Sequence, residues 1–309
     1  MSLISVVIPM FNEEQVIAES HRRVCAALEP LQQAGDSFEL VFVNDGSRDG
    51  TARIVAELAR ADSRVKLVGF ARNFGHQIAV TAGVDHAQGD AVAIIDADMQ
   101  DPPEVILEMV AKWREGFDVV YGKRRARAGE TAFKKLTAKW FYRAINALVE
   151  TKFPVDTGDF RLIGRNVVET IKSMPEHNRY LRGMFAWVGF RQTAVEYDRA
   201  ARLAGETKYS FRKMLKLAAD GIVSFSFSPL RLLWQAGCLA TGLGIVGITF
   251  SFVTPLVWMV SLFSTGLFFT GLLLIGMGIL GAYIARIADE VRGRPLYIVR
   301  EKIGFEVKE

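Results

Sequence analysis

The sequence predicts an α/β fold: a mainly parallel sheet, two amphipathic helices at a membrane surface, and a C-terminal hairpin of two transmembrane helices. Three observations carry this expectation. The first 122 residues alternate short apolar runs with amphipathic stretches, the pattern of a parallel sheet covered on both faces. Two later stretches repeat apolar residues at three- and four-residue spacing among Lys and Arg, which makes helices with one apolar and one basic face. From Leu232 to Ala285 there is no Asp, Glu, Lys or Arg, and about 20 apolar residues are enough to cross a bilayer once.

The elements follow in order. Ile4–Pro9 is a strand, Glu14 to Leu31 a helix, Phe38–Val43 a strand and Thr51–Ala61 a helix. Val65–Phe70, Gln77–Asp85 and Ala91–Ile95 continue the alternation. Pro103–Glu115 starts with Pro in the first turn, where its missing N–H costs nothing. Val119–Gly122 is the fifth strand. Phe133, Leu136, Trp140, Phe141, Ile145 and Leu148 form the stripe of an interfacial helix over about 131–149. A second, about 208–227, shows Phe211, Met214, Leu215, Ala218, Ile222 and Phe225. Spans near Leu232–Phe252 and Val260–Ala282 then meet at Thr254-Pro255, with Arg231 before them and Arg286, Arg292 and Arg294 after. By the positive-inside rule both ends face the cytoplasm. The expected parts are 1–230, a cytoplasmic domain; 231–285, the hairpin; and 286–309, a cytoplasmic tail. Glycines in the hairpin suit close helix packing in lipid.

Charge and cysteine content narrow the classes. The net charge of +4 is too small to argue for nucleic acid. Eight basic residues and one acid lie between Lys123 and Arg143, a cluster suited to anionic lipid. Cys25 and Cys238 make no disulfide framework, which fits a reducing compartment. The apolar start, Leu3 to Met10, lacks a basic n-region and reads as a strand rather than a signal peptide.

Ligands of parallel α/β sheets bind beyond the carboxyl ends of the strands. There the sequence places Pro9-Met10-Phe11-Asn12-Glu13-Glu14, Asn44-Asp45-Gly46-Ser47 and Asp96-Ala97-Asp98-Met99-Gln100-Asp101. An isolated Asp-x-Asp is weak evidence. After a buried strand and beside two companion clusters it defines an acidic pocket. A departing nucleoside diphosphate concentrates negative charge that Mg²⁺ or Mn²⁺ can neutralise, and such ions take carboxylate, phosphate and water oxygens. Asp98 is the first-choice metal ligand, Asp96 contacts metal or ribose, and Asp45 accepts a hydrogen bond from base or ribose. Asp49 and Ser47 fit turn formation and helix capping.

The strings IPMFNEE, VNDGSRDGT, ARNFGHQ and DADMQDPPE resemble inverting family 2 glycosyltransferases of the Rossmann-like GT-A fold. YGKRRARAGE, DTGDFRLI, RLAGETKYSF and RPLYIV resemble the polyprenyl-phosphate glycosyltransferases within them, the group of bactoprenol glucosyltransferases and dolichyl-phosphate mannose synthases. The resemblance runs over nearly the whole chain. It implies a nucleotide-sugar donor held by Pro9, Asn12, Glu14, Asp45, Asp96 and Asp98, a divalent metal, and an undecaprenyl or dolichyl phosphate acceptor. It implies a multi-pass protein of the inner membrane and a homo-oligomer, with a tetramer and a lipid-sugar flippase among the assemblies it brings to mind. One departure is Asn44 where many members carry Asp.

The acceptor phosphate is largely anionic at neutral pH, with a second pKa of about 6. It needs cations that hold it beside another anion. Arg124 and Arg127 follow the fifth strand, Arg161 follows Asp159-Phe160, and Arg202 and Lys208 precede the second amphipathic helix. The family pattern makes Asp159 the catalytic carboxylate, as base or acceptor organiser; a plain salt bridge is the alternative. His76 fits donor-site hydrogen bonding or packing, and Gly75 and Gly83 fit helix packing. UDP-glucose is the first-choice donor. GDP-mannose, a UDP-N-acetylhexosamine, a non-catalytic membrane scaffold, a polysaccharide synthase and a nucleotidyltransferase are the alternatives. The last two lack their signatures, Gln-x-x-Arg-Trp and a Gly-rich phosphate loop after the first strand.

Overall fold

Eight strands form one sheet in the order β7-β5-β6-β4-β1-β2-β3-β8 in a computed structural model of the chain. The structure describes residues 1–125, 157–199, 230, 233–240, 242 and 258–305. The strands are β1 (Leu3–Met10), β2 (Ser37–Asn44), β3 (Val65–Phe70), β4 (Ala91–Ile94), β5 (Val119–Arg124), β6 (Thr157–Gly164), β7 (Gln192–Tyr197) and β8 (Val299–Ile303). Helices among the described residues include α1 (Ile17–Gln33), α2 (Thr51–Ala61), α3 (His76–His86), α4 (Val105–Arg114), α5 (Arg165–Ser173), α6 (Leu181–Trp187) and α7 (Trp258–Arg292). The chain divides into two units. Described residues up to 199 together with those from Pro295 form one, and those from 230 to Arg294 form the other.

In the first unit β1 pairs in parallel with β2 and β4, and β2 with β3. β1 and β2 are buried on both faces and mostly apolar, because helices cover both. On α1, Ile17, Ser20, Val24, Ala27, Leu28 and Leu31 turn inward at helical spacing. Gly83 of α3 lies against Val7 of β1, so close that a Cβ there would overlap the Val7 side chain. That agrees with the packing role expected for Gly83. Gly75, in contrast, has open space around it and φ +104, so its task is backbone conformation.

The sheet is more mixed than the sequence predicts. β6 inserts antiparallel between β4 and β5, and β8 pairs antiparallel with β3. The stretch expected as a tail after residue 286 first extends α7 to Arg292 and then supplies β8.

In the second unit α7 runs 35 residues, about 52 Å at 1.5 Å per residue. Within it Phe268–Arg292 has a mean hydropathy of 2.0 and is long and apolar enough to cross a membrane. The expected second span, Val260–Ala282, lies inside it. Of the first, Leu232–Phe252, residues 233–240 and 242 are helical and the rest lies outside the described residues, as do the two amphipathic stretches. Among the described residues there is thus one apolar membrane-length helix rather than the two of a hairpin.

Candidate active site

The loops after β1 and β2 are tied to each other. Asn12 takes the left-handed region at φ 54, which Asn tolerates better than most residues. Its Oδ1 accepts from the Arg48 N–H at 2.9 Å, and its own N–H donates to Ser47 Oγ at 3.0 Å. Glu14 Oε2 accepts from the Gly50 N–H at 2.7 Å. Asp49 Oδ1 accepts from the Thr51 N–H at the start of α2, consistent with its expected turn role. Pro9 is buried within β1, paired with Val43. Of the residues expected in contact with the donor, Asn12 and Glu14 thus tie the loops after β1 and β2 together, and Pro9 sits in the sheet.

Asp45 is 3% exposed. Its carboxylate accepts from the Phe74 N–H at 2.6 Å, the Gly75 N–H at 3.0 Å and Asn73 Nδ2 at 2.8 Å. Burial raises its pKa against the lowering pull of those amides. Asp45 thus fixes the loop from Arg72 to Gly75. Gly46 lets that loop come close: at φ +68, a Cβ would sit 2.5 Å from the Arg72 carbonyl carbon.

The centre of the site comes from the antiparallel insertion. β4 pairs with β6 so that Ile94 faces Arg161. Asp96, two residues past β4, and Asp159 within β6 lie near enough for their charges to act on each other, and two such carboxylates repel. His76, at the start of α3, stands by both, with Nε2 3.2 Å from Asp159 Oδ2 and 3.6 Å from Asp96 Oδ1. From α6, Arg182 donates to Asp159 through Nε to Oδ1 at 2.7 Å and a terminal nitrogen to Oδ2 at 3.1 Å. Gln77 links the parts: Nε2 lies 3.4 Å from Asp159 Oδ2, and Oε1 accepts from the Leu181 N–H at the start of α6.

The electrostatics follow from this arrangement. Burial works to lower the His76 pKa, but the hydrogen bond to Asp159 and the charge of Asp96 raise it to about 9. Burial works to raise Asp159, and Arg182 and His76 overcome it and hold the carboxyl well below its usual range. Asp96 is raised, first by burial, then by Asp159, Asp101 and Asp98, with His76 opposing.

Asp98 Oδ1 accepts from the Gln100 N–H at 3.1 Å. Between them Met99 is left-handed, φ 54, with its side chain in the core. Such a backbone costs about 1–3 kcal/mol and persists where its surroundings enforce it. Asp101 is 1% exposed. It accepts from the Tyr197 hydroxyl at 2.6 Å and lies 3.3 Å from Arg199 Nε and 3.9 Å from Arg124.

The cations expected at the acceptor phosphate divide. Arg124 is partly exposed beside Asp101 and Tyr197. Arg161 is 4% exposed, donates to the Gly158 and Asp159 carbonyls, and lies over the Phe185 ring. Burial lowers its pKa to about 10. Its observed contacts brace the β6 backbone at Gly158 and Asp159. Arg127, Arg202 and Lys208 lie outside the described residues. Sequence reasoning missed Arg182, Gln77 and the bridging position of His76. His76 and Gln77 left a signal, because both stand in the ARNFGHQ string after a strand end; Arg182 left none.

A separate His21–Cys25–Asp62 group has ligand atoms within 4.8 Å of one another. Arg64 already grips Asp62 through Nε and a terminal nitrogen, so a cation there would compete with a guanidinium.

The model of glycosyl transferase family 2 matches residues 5–172. A Bacillus subtilis glycosyltransferase, YkcC, is 50% identical over 98% of this chain and 95% of its own length. The SfII prophage-derived bactoprenol glucosyl transferase of Shigella flexneri is 42% identical over 96% of this chain and 97% of its own. The crystal structure of mannosyl-3-phosphoglycerate synthase from Rubrobacter xylanophilus superposes with a TM-score of 0.50 at 18% identity, covering 76% of this chain and 75% of that one; at that identity the likeness is one of fold. With its acidic strand ends, its mixed α/β sheet and these full-length likenesses, the chain belongs to the family 2 glycosyltransferases.

Proposed function

We propose that this glycosyltransferase moves a hexose, with glucose from UDP-glucose as the first candidate, onto undecaprenyl or another polyprenyl phosphate with inversion. The observation that carries the reading is the 42% identity to a bactoprenol glucosyl transferase over 96% of the chain, a likeness that takes in the apolar helix α7 as well as the acidic loops. In the reaction an oxygen of the lipid phosphate attacks the anomeric carbon. One C–O bond forms to that oxygen, and the C–O bond to the nucleoside diphosphate breaks in the same step.

The donor set at the strand ends fits a hard divalent cation, Mg²⁺ or Mn²⁺, at Asp98 with Asp96. Asp96 is crowded by three other carboxylates, an excess of negative oxygen that such an ion relieves. When bound, the ion neutralises the departing diphosphate.

The remaining roles belong to the chain. A carboxylate held far below its usual pKa is a weak proton acceptor near neutrality, and the acceptor phosphate is already anionic. Asp159 therefore acts as organiser rather than base: it holds Arg182 and protonated His76 in place. Those two cations, with Arg124, offset repulsion between donor and acceptor phosphates, and Arg182 can bind phosphate through parallel hydrogen bonds. Arg127, Arg202 and Lys208 belong to the same acceptor site in this reading.

The membrane part of the proposal is a hairpin made of α7 and a preceding span over 232–252, with the enzyme domain on the cytoplasmic side of the inner membrane. A homo-oligomer, and a flippase receiving the lipid-linked sugar for envelope glycans, complete it. The test is transfer of radiolabel to undecaprenyl phosphate in membranes, from a panel of nucleotide-sugars with Mg²⁺ or Mn²⁺, beside Asp98→Ala. One donor labelling the lipid with wild type and not with the variant is the expected result. Nucleotide binding with no labelled lipid from any donor would overturn it in favour of the non-catalytic scaffold.

A further inference from the structure

The chain leaves α7 at Arg292 and within a few residues reaches the sheet of the first unit. There Tyr297 lies on Phe70 at the end of β3, ring centroids 5.1 Å apart and planes 20° from parallel. Its hydroxyl donates to Asp85 Oδ2 on α3 at 2.9 Å. Next to it the Ile298 carbonyl accepts from the Ala71 N–H at 3.0 Å, where the β3–β8 register shifts. Phe70 in turn meets the Phe74 ring edge-on at 5.6 Å, and Phe74 carries the Arg72 guanidinium over its face.

These contacts converge on one loop. Residues 71–75 join β3 to α3, and their N–H groups at Phe74 and Gly75 bind the Asp45 carboxylate. From the β2 side the loop is held by Asp45 and by close approach to Gly46. From the β8 side it is held through Phe70 and Ala71. His76, which contacts both Asp96 and Asp159, follows the loop directly.

We propose that Tyr297 is a positioning residue for the donor pocket: its ring and hydroxyl hold Phe70, Phe74 and α3 so that the Asp45-bound loop keeps its place. The proposal rests on the reading of this pocket as the nucleotide-sugar site. It gives the last residues of the chain a part in donor binding, and it predicts that they act on the donor and leave the acceptor unaffected. A stacked ring pair contributes beyond the area it buries, and small displacements in an active site cost up to about a hundredfold in rate.

The experiment uses the full-length protein in detergent. Binding of UDP and of GDP with Mg²⁺ is measured calorimetrically, together with donor and acceptor KM in the transfer assay, for wild type, Tyr297→Ala, Tyr297→Phe and Tyr297→Leu. Amide hydrogen exchange is followed at residues 71–75. Loss of the ring in the Ala or Leu variant is expected to raise donor KM and the nucleotide Kd roughly tenfold, to leave acceptor KM within about twofold, and to speed exchange at Phe74 and Gly75. Tyr297→Phe, which keeps the stack, is expected to restore most of the affinity. The Leu variant retains apolar bulk and stands in if the Ala variant does not fold. Unchanged donor affinity and exchange in the Leu variant, or equal rises in donor and acceptor KM, would overturn the proposal. If wild type binds neither nucleotide, the donor-site reading fails, while the exchange rates at Phe74 and Gly75 still decide whether Tyr297 holds the loop.

Discussion

Arg182 holds Asp159 through two parallel hydrogen bonds, Nε to Oδ1 at 2.7 Å and a terminal nitrogen to Oδ2 at 3.1 Å, across the gap between α6 and β6. A guanidinium matches a carboxylate in this two-point way and an ammonium does not. Arg182→Lys is therefore expected to keep the fold and still lower kcat/KM by roughly 10- to 100-fold. Steady-state kinetics beside a melting curve would check this; full activity in the Lys variant would remove the paired geometry from the mechanism.

His76 supplies a pH prediction. Its pKa is raised to about 9, so the stabilisation from its ion pairs is full below the unfolded value of about 6.5 and fades as pH rises through 9. Asp159 has the opposite sign. Its contribution is present above the unfolded carboxyl range and is lost in acid, below the usual carboxylate pKa. An NMR titration of the ion-free protein should put the imidazole midpoint near 9 and move it down in Asp159→Asn.

Asp98 and Asp96 should separate in a metal titration. Asp98→Ala is expected to lower kcat by about a hundredfold or more and to weaken metal-dependent nucleotide binding. Asp96→Asn removes one carboxylate from a crowded group, so it should weaken metal binding and also lower the pKa of His76, which loses a counter-charge. Calorimetry with Mn²⁺ and the same NMR titration would read both effects.

Gly83→Ala tests the packing of α3 on β1. The added Cβ would overlap the Val7 side chain, and overpacking of this kind costs about 1–3 kcal/mol. A lower melting temperature is expected, with donor KM nearly unchanged in the protein that remains folded.

Much of the architecture was legible in the sequence. Strand and helix positions through β5 fall within a few residues of those predicted, because alternating apolar runs and helical periodicity are local signals. The acidic strand ends were legible for the same reason, since a motif that follows a buried strand has a place fixed by the strand. β6 and β8 were not foreseen as members of the sheet. DTGDFRLI and RPLYIV carry family likeness but no alternation strong enough to name a partner, and an antiparallel insertion depends on contacts far along the chain.

The sequence by itself determined the fold class, the acidic strand ends, the apolar helix and the family, since each rests on the kind and spacing of neighbouring residues. Only the tertiary structure decided what the individual charges do. It brought Asp96 near Asp159, set His76 beside both, delivered Arg182 from 23 residues downstream, and buried Arg161 against carbonyls and a ring. A side chain's charge is written in its own residue, but its partner and its solvent exposure come from the packing of elements distant in sequence, and these two quantities set its pKa and its role.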